Sequence, residues 1–261
     1  MSFYARNFIF DSVPSEMYNI TISSDGGESS SPIADVELYT VKTWRRSRNY
    51  LLGVNQSPVL EFPVIFNTPE ELTSEELGLT SAWLFGQQNY KKLQIVQPDM
   101  DSIYFNCFLV EPEVIRVGNI IRGVKAKVVC DSPYAQTFPM VSQYTYSVPP
   151  SSSSIFFDCF SHDSYYLYPT IEFTMNGTGG GFSIINSTDN ARTFSFVGLS
   201  PNEVITVNND LEIITSSLAV LRLSNFNKNF FRLLKGRNFL SVTGNITNLK
   251  MTYSLLKKIG G

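Results

Sequence analysis

Charge is the scarcest ingredient of this chain. Only 16% of its 261 residues are Asp, Glu, Lys or Arg, against about 25% in an average globular domain. Long solvated helices, coiled coils and disordered tails all draw on such residues, so helix-dominated and disordered architectures are excluded. Histidine occurs once, at His162, and any Ser–His or Cys–His mechanism would have to be built on that ring. The three cysteines, Cys107, Cys130 and Cys159, are odd in number and spaced like no zinc or redox motif. They are expected to be reduced and buried as small hydrophobes. No stretch reaches the ~18 apolar residues of a membrane span, and the start Met-Ser-Phe-Tyr-Ala-Arg-Asn lacks the basic-then-apolar order of a secretion signal. Neither membrane insertion nor export by a cleaved signal is expected. A net charge of -3 provides no field to hold phosphate backbones, so stable nucleic-acid binding is not expected either.

What the chain does have is apolar and aromatic: 43% hydrophobic residues, with Phe 20 and Tyr 13. The length suits two compact cores. Residues 139–154, PMVSQYTYSVPPSSSS, join a Pro pair to four serines and interrupt the apolar periodicity on either side. That composition reads as a spacer, which divides the chain into a domain over 1–140, a Pro/Ser linker over 141–154 and a domain over 155–261. The charge divides with it, 11 basic and 16 acidic side chains in residues 1–140 and 9 and 7 in the remainder.

In the first domain, short apolar runs predict strands at Phe8 to Phe10, Tyr18 to Ile22, Leu60 to Phe66, Leu93 to Val96, Ile103 to Val110 and Val124 to Cys130. One helix is expected among them, over Ser74 to Phe85. Thr73 and Glu76 have the spacing of a capping box, and Gly86 is a stop. The second domain is strand after strand: Thr170 to Met175, Phe182 to Asn186, Thr193 to Val197, Glu203 to Asn208, Leu211 to Thr215, Ala219 to Leu223, Asn238 to Thr243 and Asn248 to Leu255. Turn pairs such as Asn176-Gly177 and Asn208-Asn209-Asp210 separate them. The fold class is mainly β: two β-sandwich domains, the N-terminal one with a short α-helix.

The chemical candidates are few. His162-Asp163-Ser164 contains the residue types of a hydrolase triad, but adjacent residues cannot meet in relay geometry. Gly177-Thr-Gly-Gly-Gly181 lacks the Lys-Ser/Thr of a phosphate loop and joins two strands, so a hairpin turn is expected there. Asp99 and Asp101 make a weak calcium signal, and Glu70, Glu71, Glu75 and Glu76 collect where a helix start favours acids. No catalytic residue, metal site or cofactor is expected. Trp44-Arg45-Arg46-Ser47-Arg48 is the strongest basic cluster and, in an acidic domain, suits an interface between subunits; Trp44, Arg45, Arg46 and Arg48 are the candidate oligomer or partner contacts. Tyr165, Tyr166 and Tyr168 form the one aromatic group that could serve as a weak glycan face. A lectin-like sandwich module is therefore the alternative function.

Several segments in order carry a resemblance. FYARNFIFDSVPSEMYNITISSDGG, RNYLLGVNQSPVLEFPVIF, SAWLFG after the capped helix, KKLQIV and VVCDSPYAQTF, then YPTIEFTMNGTGGGFSIIN, FVGLSPNEVITVNND, FFRLLKGRNFLSVTGN and the final KKIGG resemble the distal tail protein family of long, flexible-tailed bacteriophages. The resemblance implies a ring-forming N-terminal domain and a galectin-like C-terminal sandwich. It also implies a homohexameric ring at the virion tail tip, assembled in the host bacterial cytoplasm. That ring would join the tail tube protein to the tail-associated hub protein and leave a channel for DNA, with receptor-binding and tape measure proteins as further partners. The chain has no block of residues to match the inserted carbohydrate-binding modules of larger relatives.

Overall fold

The structure, a computed structural model, describes residues 6–24, 36–44, 47–56, 59–162 and 166–259. It divides into two compact units, Met1–Thr137 with Lys257–Gly261, and Phe138–Leu256.

The first unit contains β1 (Phe8–Phe10), β2 (Val13–Pro14), β3 (Thr21–Ser24), β4 (Val36–Lys42), β5 (Asn49–Gln56) and β6 (Glu61–Asn67) before its helix, α1 (Ser74–Phe85). After it come β7 (Lys91–Ile95), β8 (Ile103–Val117), β9 (Ile120–Cys130) and β10 (Ala135–Thr137). The main sheet runs β2-β1-β7-β8-β9-β6-β3. Its two ends meet: Arg6, just before β1, and Ile22 of β3 exchange backbone hydrogen bonds of 2.9 and 2.8 Å. The two layers of the expected sandwich are thus opposite walls of one sheet rolled closed, which removes most of its adhesive edge. Alternate residues of each strand point inward, among them Phe8 and Phe10, Val64 and Phe66, Val128 and Cys130, all buried in one cluster.

Helix α1 lies where the capping box puts its start. The Thr73 hydroxyl accepts from the Glu76 amide at 3.2 Å, and the Glu76 carboxylate accepts from the Thr73 amide at 2.8 Å. That amide, and the Thr73 hydroxyl donating to the same carboxylate at 2.8 Å, hold the Glu76 carboxyl below its ordinary range. The helix docks through buried Leu84 and through Trp83, whose ring stacks 4.5 Å from Tyr18 and 5.6 Å from Phe8. Trp83 Nε1 donates to the Phe10 carbonyl at 3.2 Å, so the polar end of the ring is satisfied while its body is packed.

The second unit comprises β11 (Met140–Thr145), β12 (Ser153–Cys159), β13 (Tyr166–Leu167), β14 (Thr170–Met175), β15 (Gly180–Asn186), β16 (Arg192–Leu199), β17 (Val204–Asn208), β18 (Ile213–Ser216), β19 (Leu233–Leu234), β20 (Gly236–Gly244) and β21 (Ile246–Tyr253). A five-stranded sheet, β11-β21-β14-β17-β18, faces a four-stranded one, β12-β20-β15-β16, with β13-β19 as a small ribbon. Phe173 from the first sheet and Phe182 from the second have ring centroids 4.1 Å apart at the centre of the core.

Three details of chain path differ from the sequence reading, apart from the strands treated below. The expected linker 141–154 lies inside the second unit, because residues from Met140 to Thr145 form β11 and pair along β21. Its alternation is between half-buried and exposed positions of an edge strand, which hides the apolar period. The end of the chain does not stay in the second unit either. β22 (Leu256–Lys257) pairs with β10, and Ile259 is buried in the first core. Finally, Gly177–Gly181 joins β14 to β15 in opposite sheets and is not a hairpin. Gly179 adopts φ +66°, and a Cβ there would lie 2.5 Å from the Leu199 carbonyl oxygen, so glycine is required by the close crossing.

Candidate assembly surface

Strands β4 and β5 pair with each other and, among the described residues, with no other strand. Cross-strand neighbours share a face. Leu38 therefore sits with Val54 on one side and Val41 with Tyr50 on the other, and all four are exposed. Leu52, at the register shift between Tyr39 and Thr40, is 71% exposed, and Trp44 at the tip is 93% exposed. A two-stranded hairpin is marginal in water by itself, and one with apolar side chains on both faces and two open edges is a template for association.

The basic cluster falls on this tip. Trp44 and Arg48 flank the turn from β4 to β5, while Arg45 and Arg46 lie outside the described residues. Sequence reasoning found the tip and missed the strands that carry it. VELYTVK and NYLLGVNQ are apolar on both faces, so they show neither the alternation of a half-wet strand nor a compact buried run. The signal that remained was the density of apolar and aromatic residues beside an arginine cluster.

Among the described residues, the remaining candidates assemble no reactive geometry. His162 is exposed, its amide bonded to the Leu256 carbonyl at 2.8 Å, and Asp163 and Ser164 lie outside the described residues. Asp99 accepts from Gln97 at 2.6 Å in an exposed turn. Among the described residues no three His, Cys, Asp or Glu side chains converge as metal ligands, and no helix is long and apolar enough to cross a membrane. A groove beside the bulge of β8 is lined by Glu61, Glu111, Glu113, Lys125 and Lys127. There Glu61 and Lys127 form an ion pair, and the Glu61 hydrogen bond raises the Lys127 amine above its ordinary range.

Of the tyrosines, Tyr165 lies outside the described residues. Tyr166 and Tyr168 are half-exposed with rings 6.3 Å apart. The Arg232 guanidinium sits 3.8 Å above the Tyr166 ring and is held there by two hydrogen bonds to Asp189, of 2.7 and 3.1 Å. One face of Tyr166 is thereby occupied by a cation–π contact. The sequence did not reveal a second aromatic pair: Phe156 and Phe239, directly opposite in β12 and β20, stand exposed at 5.4 Å beside the Asp158–Arg237 ion pair.

Two family models together span nearly the whole chain. One, described as a phage tail protein N-terminal domain, matches residues 3–132, and the other, a phage tail C-terminal domain, matches residues 137–253. The chain belongs to this family of phage tail proteins. The gap between the two matches, residues 133–136, ends one residue before the first unit gives way to the second after Thr137. The tail protein has the fold of the SPP1 Dit protein, whose crystal structure is described as a paradigm of the hub adsorption apparatus in phages infecting Gram-positive bacteria. The two superpose with a TM-score of 0.72 at 10% identity, covering 97% of this chain and 100% of that one. A chain of the phage p2 baseplate, in its activated conformation with Sr, superposes with a TM-score of 0.56 at 9% identity, covering 96% and 98%. No curated protein sequence matches the tail protein. The resemblance read from the sequence, distal tail protein of a long-tailed phage, agrees with both comparisons.

Proposed function

We propose that six copies of this tail protein close into a ring at the phage tail tip, where it acts as a non-enzymatic virion component. The ring joins the tail tube protein to the tail-associated hub protein and the host-recognition apparatus, leaving a channel for DNA. The observation that carries this reading is the β4–β5 hairpin, an apolar element exposed on both faces and, among the described residues, paired with no further strand, which a neighbouring copy would cover. A surface that docks head to tail on a different surface of the next copy must close into a ring or grow without limit. The likeness to SPP1 Dit supports the tail tip as its place, and the family resemblance supplies the number six.

The excess of acid in residues 1–140 suits a channel wall, since like charge lets phosphate pass without binding. Assembly then takes place in the bacterial cytoplasm before virion release, with receptor-binding and tape measure proteins joining the same apparatus. The test is the mass and shape of the purified protein. Six copies of the 29.4 kDa chain give about 176 kDa for a closed ring, visible by light scattering and as annular particles by negative-stain microscopy. A two-fold dimer that persists at high concentration and in the presence of the tail-hub partner would refute the ring.

A further inference from the structure

Residues Leu211 to Leu223 carry a second apolar surface, on the second unit. A strand is expected from the sequence over Ala219 to Leu223, but the structure gives an exposed loop in which Ala219 takes φ 54° and Leu221 is 94% exposed. The loop is nevertheless firmly held. At its base the Arg222 guanidinium reaches inward to Glu203, which is fully buried, with hydrogen bonds of 2.8 Å to each carboxylate oxygen. Ser216 Oγ donates to Glu203 at 2.6 Å and accepts from the Leu218 amide at 3.1 Å. On the far side Asn225 Nδ2 donates to the Val197 carbonyl at 2.9 Å. The fold thus commits a buried ion pair, costly to desolvate, to fixing a loop whose leucines it leaves in water.

This loop continues from β18, the edge strand of the five-stranded sheet. Natural edges are blunted by charge, proline or cover. Between Glu212 and Arg222 this one has no charged residue and no proline, and Arg222 is neutralised by Glu203. Leu211, Ile213, Leu218, Val220, Leu221 and Leu223 are all exposed, as is Val197 of β16, a grouping of apolar side chains in water that marks an interaction surface. A neutral edge with unpaired backbone and flanking leucines matches a partner that adds an uncharged apolar strand.

We infer that β18 and the Leu218–Leu223 loop are the docking site for a second, non-identical tail protein, which lays an uncharged extended segment along β18 and buries Leu221. The choice of a non-identical occupant rests on the ring reading, because self-pairing of identical edges about a two-fold axis would tie rings together in pairs. The test places the photocrosslinker p-benzoylphenylalanine at position 221 of the full-length protein, in tails assembled during infection and then purified. The expected result is an adduct with a different polypeptide, identified by its peptides as a stoichiometric component of the same tail. Leu218→Glu with Leu223→Glu should reduce that adduct at least tenfold while leaving the mass of the isolated ring unchanged. An adduct only with a second copy of this chain, no adduct in tails that contain the protein, or an adduct indifferent to the double substitution each overturns the inference. If the isolated protein forms no ring while the adduct to a different polypeptide survives, the ring reading fails and the docking site stands.

Discussion

Glu203, out of contact with solvent, receives hydrogen bonds of 2.8 Å on both carboxylate oxygens from one guanidinium, that of Arg222. Burial pushes its carboxyl up, but the Arg222 hydrogen bonds, with those from Ser216 and the Ser200 amide, outweigh burial and hold it below the ordinary range. A group whose folded pKa is depressed contributes stability above its unfolded pKa and loses it as pH falls through the folded value. Glu203→Gln should therefore cost the second unit roughly 3 kcal/mol near neutral pH, and the gap to wild type should narrow below about pH 4. Both tryptophans, Trp44 and Trp83, lie in the first unit. The second unit is followed by the circular-dichroism transition in urea that is silent in tryptophan fluorescence. A gap that stays constant from pH 7 to pH 3 would show that the ion pair contributes nothing through charge.

Cys107 and Cys130 lie directly opposite across β8 and β9, both buried. Burial pushes both thiols up, with Cys130 reaching about 12, and the nearby Asp131 carboxylate adds to the shift in each. Thiolate is the reactive form, so an aromatic disulfide reagent at pH 8 should modify neither in the native protein and both in urea. A native mass two hydrogens short, with the pair linked, would overturn the expectation that they are reduced.

How far the sequence could be read follows from what each segment buries. Thr170 to Met175 was legible to the residue, because Ile171, Phe173 and Met175 point into the core and Thr170, Glu172 and Thr174 point away. Helix α1 was equally legible from Thr73 and Glu76, since capping is a local transaction between residues three apart. Closure of the first sheet was not, because it depends on a backbone pairing of Arg6 with Ile22, and backbone groups carry no side-chain signature. The strands and loop of the two proposed surfaces were illegible for one shared reason. Exposed apolar residues, Leu38 and Val54 or Leu218 and Leu221, obey no burial period within their own chain.

The exposed Trp44 provides a direct optical test of the hairpin. In a Trp83→Phe background Trp44 is the remaining tryptophan, and its emission should move to shorter wavelength as concentration drives assembly and the ring leaves water. Arg45, Arg46 and Arg48 changed together to Ala should shift that transition to at least tenfold higher concentration at moderate salt, since arginine favours interface ion pairs. The variant should retain the wild-type far-ultraviolet spectrum. Assembly with unchanged concentration dependence would make the cluster a solvated surface.

Ile259 is buried in the core of the first unit, although the whole second unit separates it in sequence from Thr137. The first unit is therefore closed by two stretches of chain, and the C-terminal stretch is part of its packing. Truncating a buried isoleucine to alanine costs about 2–4 kcal/mol through lost transfer energy and the cavity left behind. Ile259→Ala should lower the urea midpoint of the first unit, read by Trp83 fluorescence in a Trp44→Phe background, by the equivalent of that amount. Removal of residues 257–261 should lower it further, because the pairing of β22 with β10 is lost as well. The second-unit transition should not move in either variant, since distant sites with separate cores behave additively. A first-unit midpoint indifferent to both changes would mean that the segment from Lys257 onward contributes nothing to that core, and that the first unit is complete at Thr137.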